Sequence, residues 1–400
     1  MSRKHFSWLL AATLVLGALV LLLPGRTSKD SEFEQQALVP ALAGQVNDVE
    51  RVEVITAGNT TVATLQRQDT AWVVTEFGNY PADWPKLREL LAQLARAEIV
   101  EPKTSNQAYF DRLGVSDVAN ADSKATLLRL VGTDPAASIL VGNAAEGRAG
   151  QYARLEGGNQ ALLIDQVLQV PESAKDWLQR DIINIADAEV VAVQLAHADG
   201  AQVRATRASA DDEDFILQDI PEGREVVSAW SVNSMANALA NLQLESVLAA
   251  DSVDFSKATK FSLVTADGLE VVAEVAVSPA PAGSKDAETA AEPASTYWLK
   301  LSANAYIPGS TGSDTAAAES SEQEAESEAR PEATKDVADN AVAEEPATEA
   351  TAAEVAPDAE QRAAEINRRV SGWAYEIPSF KAEAMTKQMD NLLKALPDPE

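Results

Sequence analysis

The chain has 400 residues, 46% of them hydrophobic, a formal net charge of −30 and no cysteine. That length fits two domains with sizeable cores. The charge argues against contact with nucleic-acid phosphates or a broad anionic lipid surface, and the missing cysteine excludes disulfides, thiol nucleophiles and thiolate metal sites.

The N-terminus opens with a short basic stretch, Arg3-Lys4-His5, followed by an uncharged, largely apolar run from Phe6 to Leu23 that Pro24-Gly25 ends. Eighteen helical residues reach about 27 Å, close to the thickness of a bilayer's hydrocarbon core. Residues 1–29 are therefore expected to be a cytoplasmic start and a transmembrane anchor, with Trp8 at the interface. A cleaved signal peptide is the alternative, but its one small-residue site, Ala41-Leu42-Ala43, lies far past the apolar core. Arg3 and Lys4 orient the N-terminus to the cytoplasm and the body to the periplasm; Arg26 and Lys29 on the far side pull against that orientation.

A polar stalk is expected over 30–47, then a first domain over 48–186. Residues 49–58 alternate as a strand, and 60–78 read as two more around a turn at Gln68-Asp69. A helix follows, with Asp83 as N-cap and Pro85 tolerated in the first turn. Its apolar face is Leu87, Leu90, Leu91 and Leu94, and Ile99-Val100 continues as a short extended piece.

From Asp187 the same series of elements returns. Ser231 takes the capping place of Asp83, and Met235, Ala238, Leu239 and Leu242 repeat the apolar face 148 positions on (235 against 87). Val247-Leu248 matches Ile99-Val100, and Tyr152 stands opposite Tyr297. Each half closes with a Trp-containing segment, 174–182 and 371–380. Constant order at a nearly constant offset predicts a duplicated module: one amphipathic helix on an antiparallel sheet, hence an α+β fold. The second domain, 187–308 plus 361–400, is interrupted twice. Residues 278–295 separate two strands of a hairpin, and 309–360 form an Ala/Glu-rich insertion with 15 acidic and 2 basic residues. Such a composition predicts disorder. A final amphipathic helix is expected from Ala382 to Leu396.

The anchor, the strand ending Trp72-Val73-Val74-Thr75, the segment Tyr80-Pro81-Ala82-Asp83, the Leu-rich helix, the turn over 110–115 and the closing segment 373–378 together resemble the domain-of-unknown-function 4340 family. The resemblance covers roughly 45–305 and 361–395. It implies an envelope-anchored accessory protein of the kind associated with ABC-type exporter permeases or gliding-motility-type auxiliary components. It supplies no catalytic residues.

No phosphate loop, dinucleotide fingerprint, metalloprotease or nucleophile-elbow motif is present. Of the two histidines, His5 flanks the anchor and His197 reads as an exposed turn residue. The acidic run 211–214 reads as a solvated turn, lacking the spacing and glycine of a calcium loop. Trp72, Trp84, Trp177, Trp230, Trp298 and Trp373 are expected to pack on the sheets, or else to line a peptide or glycan groove. No catalytic, cofactor-binding or metal-ligating residue is assigned, and no cofactor. The expected protein is a non-enzymatic periplasmic accessory subunit in the inner membrane, partnered by a membrane transporter or envelope protein and not by nucleic acid. A glycan- or peptide-binding module is the alternative, and an envelope hydrolase comes third.

Overall fold

The computed structural model describes residues 36–209, 212–279, 295–306 and 357–394. The expected anchor, the segment 280–294 and the expected acidic insertion up to residue 356 lie outside the described residues. Among the described residues no helix is long and apolar enough to cross a membrane. The chain divides between Gln179 and Arg180 into two compact units, each α+β and dominated by antiparallel sheet.

The first unit runs β1 (Gln36–Ala37), α1 (Leu42–Gln45), β2 (Arg51–Thr56), β3 (Thr60–Gln68), β4 (Ala71–Val74), β5 (Tyr80–Pro81), α2 (Trp84–Arg96), β6 (Glu98–Thr104), α3 (Phe110–Leu113), β7 (Thr126–Val131), β8 (Ala137–Ala144), β9 (Gln151–Leu155) and β10 (Ala161–Ile164). The ten strands form one sheet in the order β1-β6-β10-β9-β8-β7-β2-β3-β4-β5. Alternation sets its faces. Val52 and Val54 of β2 are fully buried, opposite Leu130 and Leu128 of β7. Between them Glu53 points outward, paired with Arg51 at 3.1 Å and Arg129 at 3.2 Å. Helix α2 starts where the Asp83 carboxylate accepts the Lys86 N–H at 3.0 Å, and it buries Leu87, Leu90, Leu91 and Leu94. Each such leucine contributes roughly 1.5–3 kcal/mol on leaving water.

The other face of this sheet carries a smaller cluster of Phe110, Val115 and Ala161. Arg154 pins it: buried, it donates to the carbonyls of Val115 and Gly158 at 2.8 Å each, pairs with Asp117 at 2.7 Å, and lies 4.8 Å from the Phe110 ring centre. Gly142 lets this layer close, since a Cβ there would stand 2.5 Å from the Leu113 carbonyl. Residues 36–47, expected as stalk, are folded into the unit. β1 pairs with β6, and Leu38, Val39 and Leu42 are buried, so the apolar side chains of that stretch outweigh its polar ones.

The second unit contains β11 (Asp181–Ile183), β12 (Val190–Ala196), β13 (Gln202–Thr206), β14 (Ile216–Leu217), α4 (Ala229–Ala236), β15 (Leu242–Gln243), β16 (Ser246–Ala249), β17 (Thr259–Thr265), β18 (Leu269–Pro279), β19 (Ser295–Ala305), α5 (Pro357–Val370), β20 (Trp373–Ile377), α6 (Ser379–Met385) and α7 (Met389–Leu392). β11 and β15 make a two-stranded ribbon, and the rest form a sheet ordered β14-β13-β12-β17-β18-β19-β20-β16. Read from β16, it repeats the first sheet from β6 to β4, with each strand ten places later in the chain.

Several expectations change in detail. The N-cap of α4 is Ser228, not Ser231: its side chain accepts the Ser231 N–H at 3.2 Å. Aligning caps makes the helix offset 145 (228 against 83), so Val232, Met235, Ala236 and Leu239 stand opposite the four leucines, all of them buried. Helix α5 begins at Pro357, inside the last residues of the expected insertion. The single final helix expected over 382–396 is two short ones, broken at Thr386–Gln388, where the Thr386 hydroxyl donates back to the Ala382 carbonyl at 2.9 Å. Nor are the two Trp-containing segments equivalent. Trp373 lies in β20, whose counterpart is β10. The bridge of Ala82 to Leu178 in the first unit is matched in the second by that of Val226 to Leu393, and not by a contact of the Trp373 segment.

Two substitutions test the corrected helix. In urea unfolding, Ser228→Ala is expected to lose about 1 kcal/mol from the missing cap, and Val232→Ala about 2 kcal/mol from the truncated core residue. Wild-type stability for Val232→Ala would return the apolar face to the 148-residue offset.

Candidate functional site

Helices α4 and α6 of the second unit face each other across a groove of about 440 Å³. One wall is α4 and the turn after it, with Trp230, Asn233, Ser234 and Asn237; the other is α6 and its extension, with Phe380, Lys381, Glu383 and Lys387. Trp230 follows the N-cap by two residues and is 77% exposed, while Phe380 opens α6 and is 65% exposed. Large rings this open on a folded unit mark contact surfaces more often than packing defects.

Two half-buried lysines tie the walls together. Lys387 Nζ donates to the Ser231 carbonyl at 2.9 Å and the Ser234 hydroxyl at 2.6 Å, and lies 5.9 Å from the Trp230 ring centre. Lys381 Nζ donates to the carbonyls of Asn237 at 2.9 Å and Ala240 at 2.6 Å, and lies 5.9 Å from the Phe380 ring centre. Lys381 thus satisfies carbonyls at the helix C-terminus, where a cation also suits the helix dipole. Burial pushes the Lys381 ammonium below the ordinary lysine value. Burial does the same to Lys387, partly offset by the Glu383 carboxylate.

His197 belongs to the frame of this site and is not an exposed turn residue. It is half-buried, its Nε2 donates to the Lys387 carbonyl at 3.1 Å, and its Nδ1 lies 3.2 Å from the Thr259 hydroxyl. The acidic turn is held by neutral and cationic donors. Asp212 accepts the Ser209 N–H at 2.9 Å, Asp214 accepts Asn233 Nδ2 at 2.7 Å, and Arg207 donates to the Asp212 carbonyl at 2.9 Å. Among the described residues no group of three or more His, Asp or Glu side chains could hold a metal ion. His5 lies outside them.

The tryptophans separate into kinds. Trp177 is fully buried and donates to the Pro171 carbonyl at 3.2 Å. Trp72 is buried and stacked on the half-open Trp84, with ring centres 6.4 Å apart and planes at 10°. Trp298 and Trp373 are half-buried in strands. Trp230 alone of the six combines high exposure with a groove. Phe380, Lys381 and Lys387 were not singled out in the sequence, where they fall beside or within a segment that reads as one ordinary amphipathic helix. The first unit has a cleft of its own, about 470 Å³, lined largely by apolar groups including Leu38, Val39, Pro40, Pro135 and Leu155.

Residues 72–262 match the family described as Domain of unknown function (DUF4340). No curated protein and no solved structure matches the chain.

The two half-buried lysines give a signed pH effect. With folded-state values below the ordinary 10.5, protons leave the folded chain first as pH rises. The unfolded chain then holds more protons, so stability rises from the depressed values up to about 10.5 and the burial penalty persists below them. A carbon-detected titration of the lysine side chains is expected to place Lys381 and Lys387 below 10.5. Lys381→Met should remove its share of the stability gain in that window; an unchanged slope would show that this ammonium is not desolvated.

Proposed function

We propose that this chain, which over residues 72–262 belongs to the domain-of-unknown-function 4340 family, is a non-enzymatic accessory protein that works by contact. In this reading residues 1–29 anchor it in the inner membrane with the N-terminus cytoplasmic, the two units stand in the periplasm, and the partner is an ABC-type transporter or another envelope complex. The observation that carries the contact role is the groove rimmed by Trp230 and Phe380. Its open aromatic rings and lysine-tied walls are suited to holding a protruding segment, and aromatic anchors are the residues that dominate contact energies. Descent of the two units from one duplicated module is part of the proposal, supported by their shared strand order. In this reading the acidic stretch that ends before Pro357 serves as a solvating spacer.

A second reading uses the same groove for a glycan or free peptide stacked on Trp230. It draws on the same exposed rings, and the two readings differ in what they retain. The contact reading expects a membrane-embedded transporter component to be recovered from detergent-solubilised membranes through a tag at Glu400. It also expects Trp230→Ala combined with Phe380→Ala to cut that recovery about tenfold, as the loss of aromatic hot spots does. Recovery of no membrane-embedded component by the unaltered chain defeats it.

A further inference from the structure

Building on the contact reading, we infer that the groove between α4 and α6 takes an acidic peptide segment of the protein partner, its carboxylate on the lysines and a neighbouring apolar side chain against Trp230 and Phe380. The hydrogen-bond balance of the groove leads there. An ammonium carries three N–H donors. Lys387 uses two, on the Ser231 carbonyl and the Ser234 hydroxyl, and Lys381 uses two, on the carbonyls of Asn237 and Ala240. Each keeps one.

Two of the three neutral polar side chains of the lining, Ser234 and Asn233, already have their acceptors engaged, leaving the Asn237 amide. The Ser234 hydroxyl accepts from Lys387 and itself donates to the Ser231 carbonyl at 2.9 Å. Asn233 Oδ1 accepts the Phe215 N–H at 3.0 Å, and its Nδ2 donates to Asp214 at 2.7 Å. Beside the Asn237 amide, what remains is cationic donor capacity on the two lysines. A carboxylate answers it with short charge-assisted bonds, while a neutral sugar offers hydroxyls that need acceptors as well as donors. Glu383 is the one acidic side chain of the lining against two ammoniums, so the groove is cationic on a chain of net charge −30.

Burial makes the same point energetically. Both ammoniums are partly withdrawn from water, and an anion arriving beside them offsets that cost. The rings supply the apolar half. Trp230 and Phe380 leave most of their surface open, and an aliphatic or aromatic side chain next to the carboxylate covers it. A bare inorganic anion would leave both rings wet.

The test varies the probe and leaves the lysines in place, because they also tie the walls. A fluorescein-labelled acetyl-Glu-Leu-Glu-Phe-Glu amide is titrated with the full chain and followed by anisotropy. The expected result is saturable binding that weakens about tenfold when glutamines replace the glutamates, the scale of a lost charge-assisted bond. It should weaken about as much in Trp230→Ala, an exposed position whose change leaves the melting temperature unaltered. Chitotetraose in excess should not compete. Equal binding of the glutamine peptide, indifference to Trp230→Ala, displacement by chitotetraose or no saturable binding would each overturn the inference. If the membrane partner is still recovered through Trp230 and Phe380 while the peptide fails, the contact reading stands and only the ligand chemistry falls.

Discussion

The groove of the second unit depends on one backbone pairing. The Val227 N–H donates to the Leu392 carbonyl at 2.9 Å, and the Lys394 N–H donates to the Glu225 carbonyl at 2.8 Å. This returns the end of the chain to the residues that lead into α4. Helix α6, which lies between β20 and α7, is thereby held across from α4, close enough for Lys387 to reach the Ser231 carbonyl within it and for Lys381 to reach the Asn237 and Ala240 carbonyls just after it. His197 adds a second restraint through the Lys387 carbonyl. The first unit makes the same return, from the Asp83 N–H to the Trp177 carbonyl at 2.7 Å and from the Gln179 N–H to the Pro81 carbonyl at 3.0 Å. There the returning segment holds only a short 3-10 turn at Ala174–Trp177. With no counterpart of α6 there is no second wall. Each such bond is worth about 0.5–1.5 kcal/mol, so its weight lies in where it puts the helices and less in stability.

Much of the sheet was legible in the sequence, because a strand with one buried face must alternate. Val52 and Val54 against Arg51 and Glu53 is such a pattern. The helices were legible in kind but not in register. A shift of three residues is nearly one turn, so an apolar stripe moved by three still looks apolar. Met235, Ala238, Leu239 and Leu242 satisfy the spacing as well as Val232, Met235, Ala236 and Leu239 do, and all of these are buried. At an offset of 148, Val247 and Ile99 each lie in a strand that pairs with the last strand, in chain order, of its sheet. The three-residue difference is absorbed after α4, where Asn241 adopts a left-handed φ of 47° and β15 turns aside to pair with β11.

The site was less legible, because its meaning comes from what each ring meets in space. Trp84 and Trp230 both open a helix that follows a strand pair. Trp84 finds Trp72 and stacks on it. In the second unit the aromatic residue beside the corresponding edge strand is Phe215, and it is covered by the Arg207 guanidinium 4.8 Å from its ring centre. Trp230 is left outward, with no stacked aromatic partner among the described residues. Periodicity cannot distinguish these two outcomes. Nor can it show that Lys387 and Lys381, ordinary polar positions in an amphipathic reading, bend inward to carbonyls of α4 and of the turn after it.

The charge of the chain fits a short-range site. At physiological ionic strength a charge is felt over about 8 Å. Beyond that distance the surplus of carboxylates is largely screened. Within it, two half-buried ammoniums act through a medium less polar than water, where an ion pair is worth more than on an open surface. An acidic chain can therefore hold an acidic partner if the attraction is confined to contact. Confinement requires cations fixed in place and partly dehydrated, and that is what the carbonyls of α4 and of the turn after it do to Lys387 and Lys381. A solvated lysine on the outer face of α6 would be one weak charge among many opposed ones.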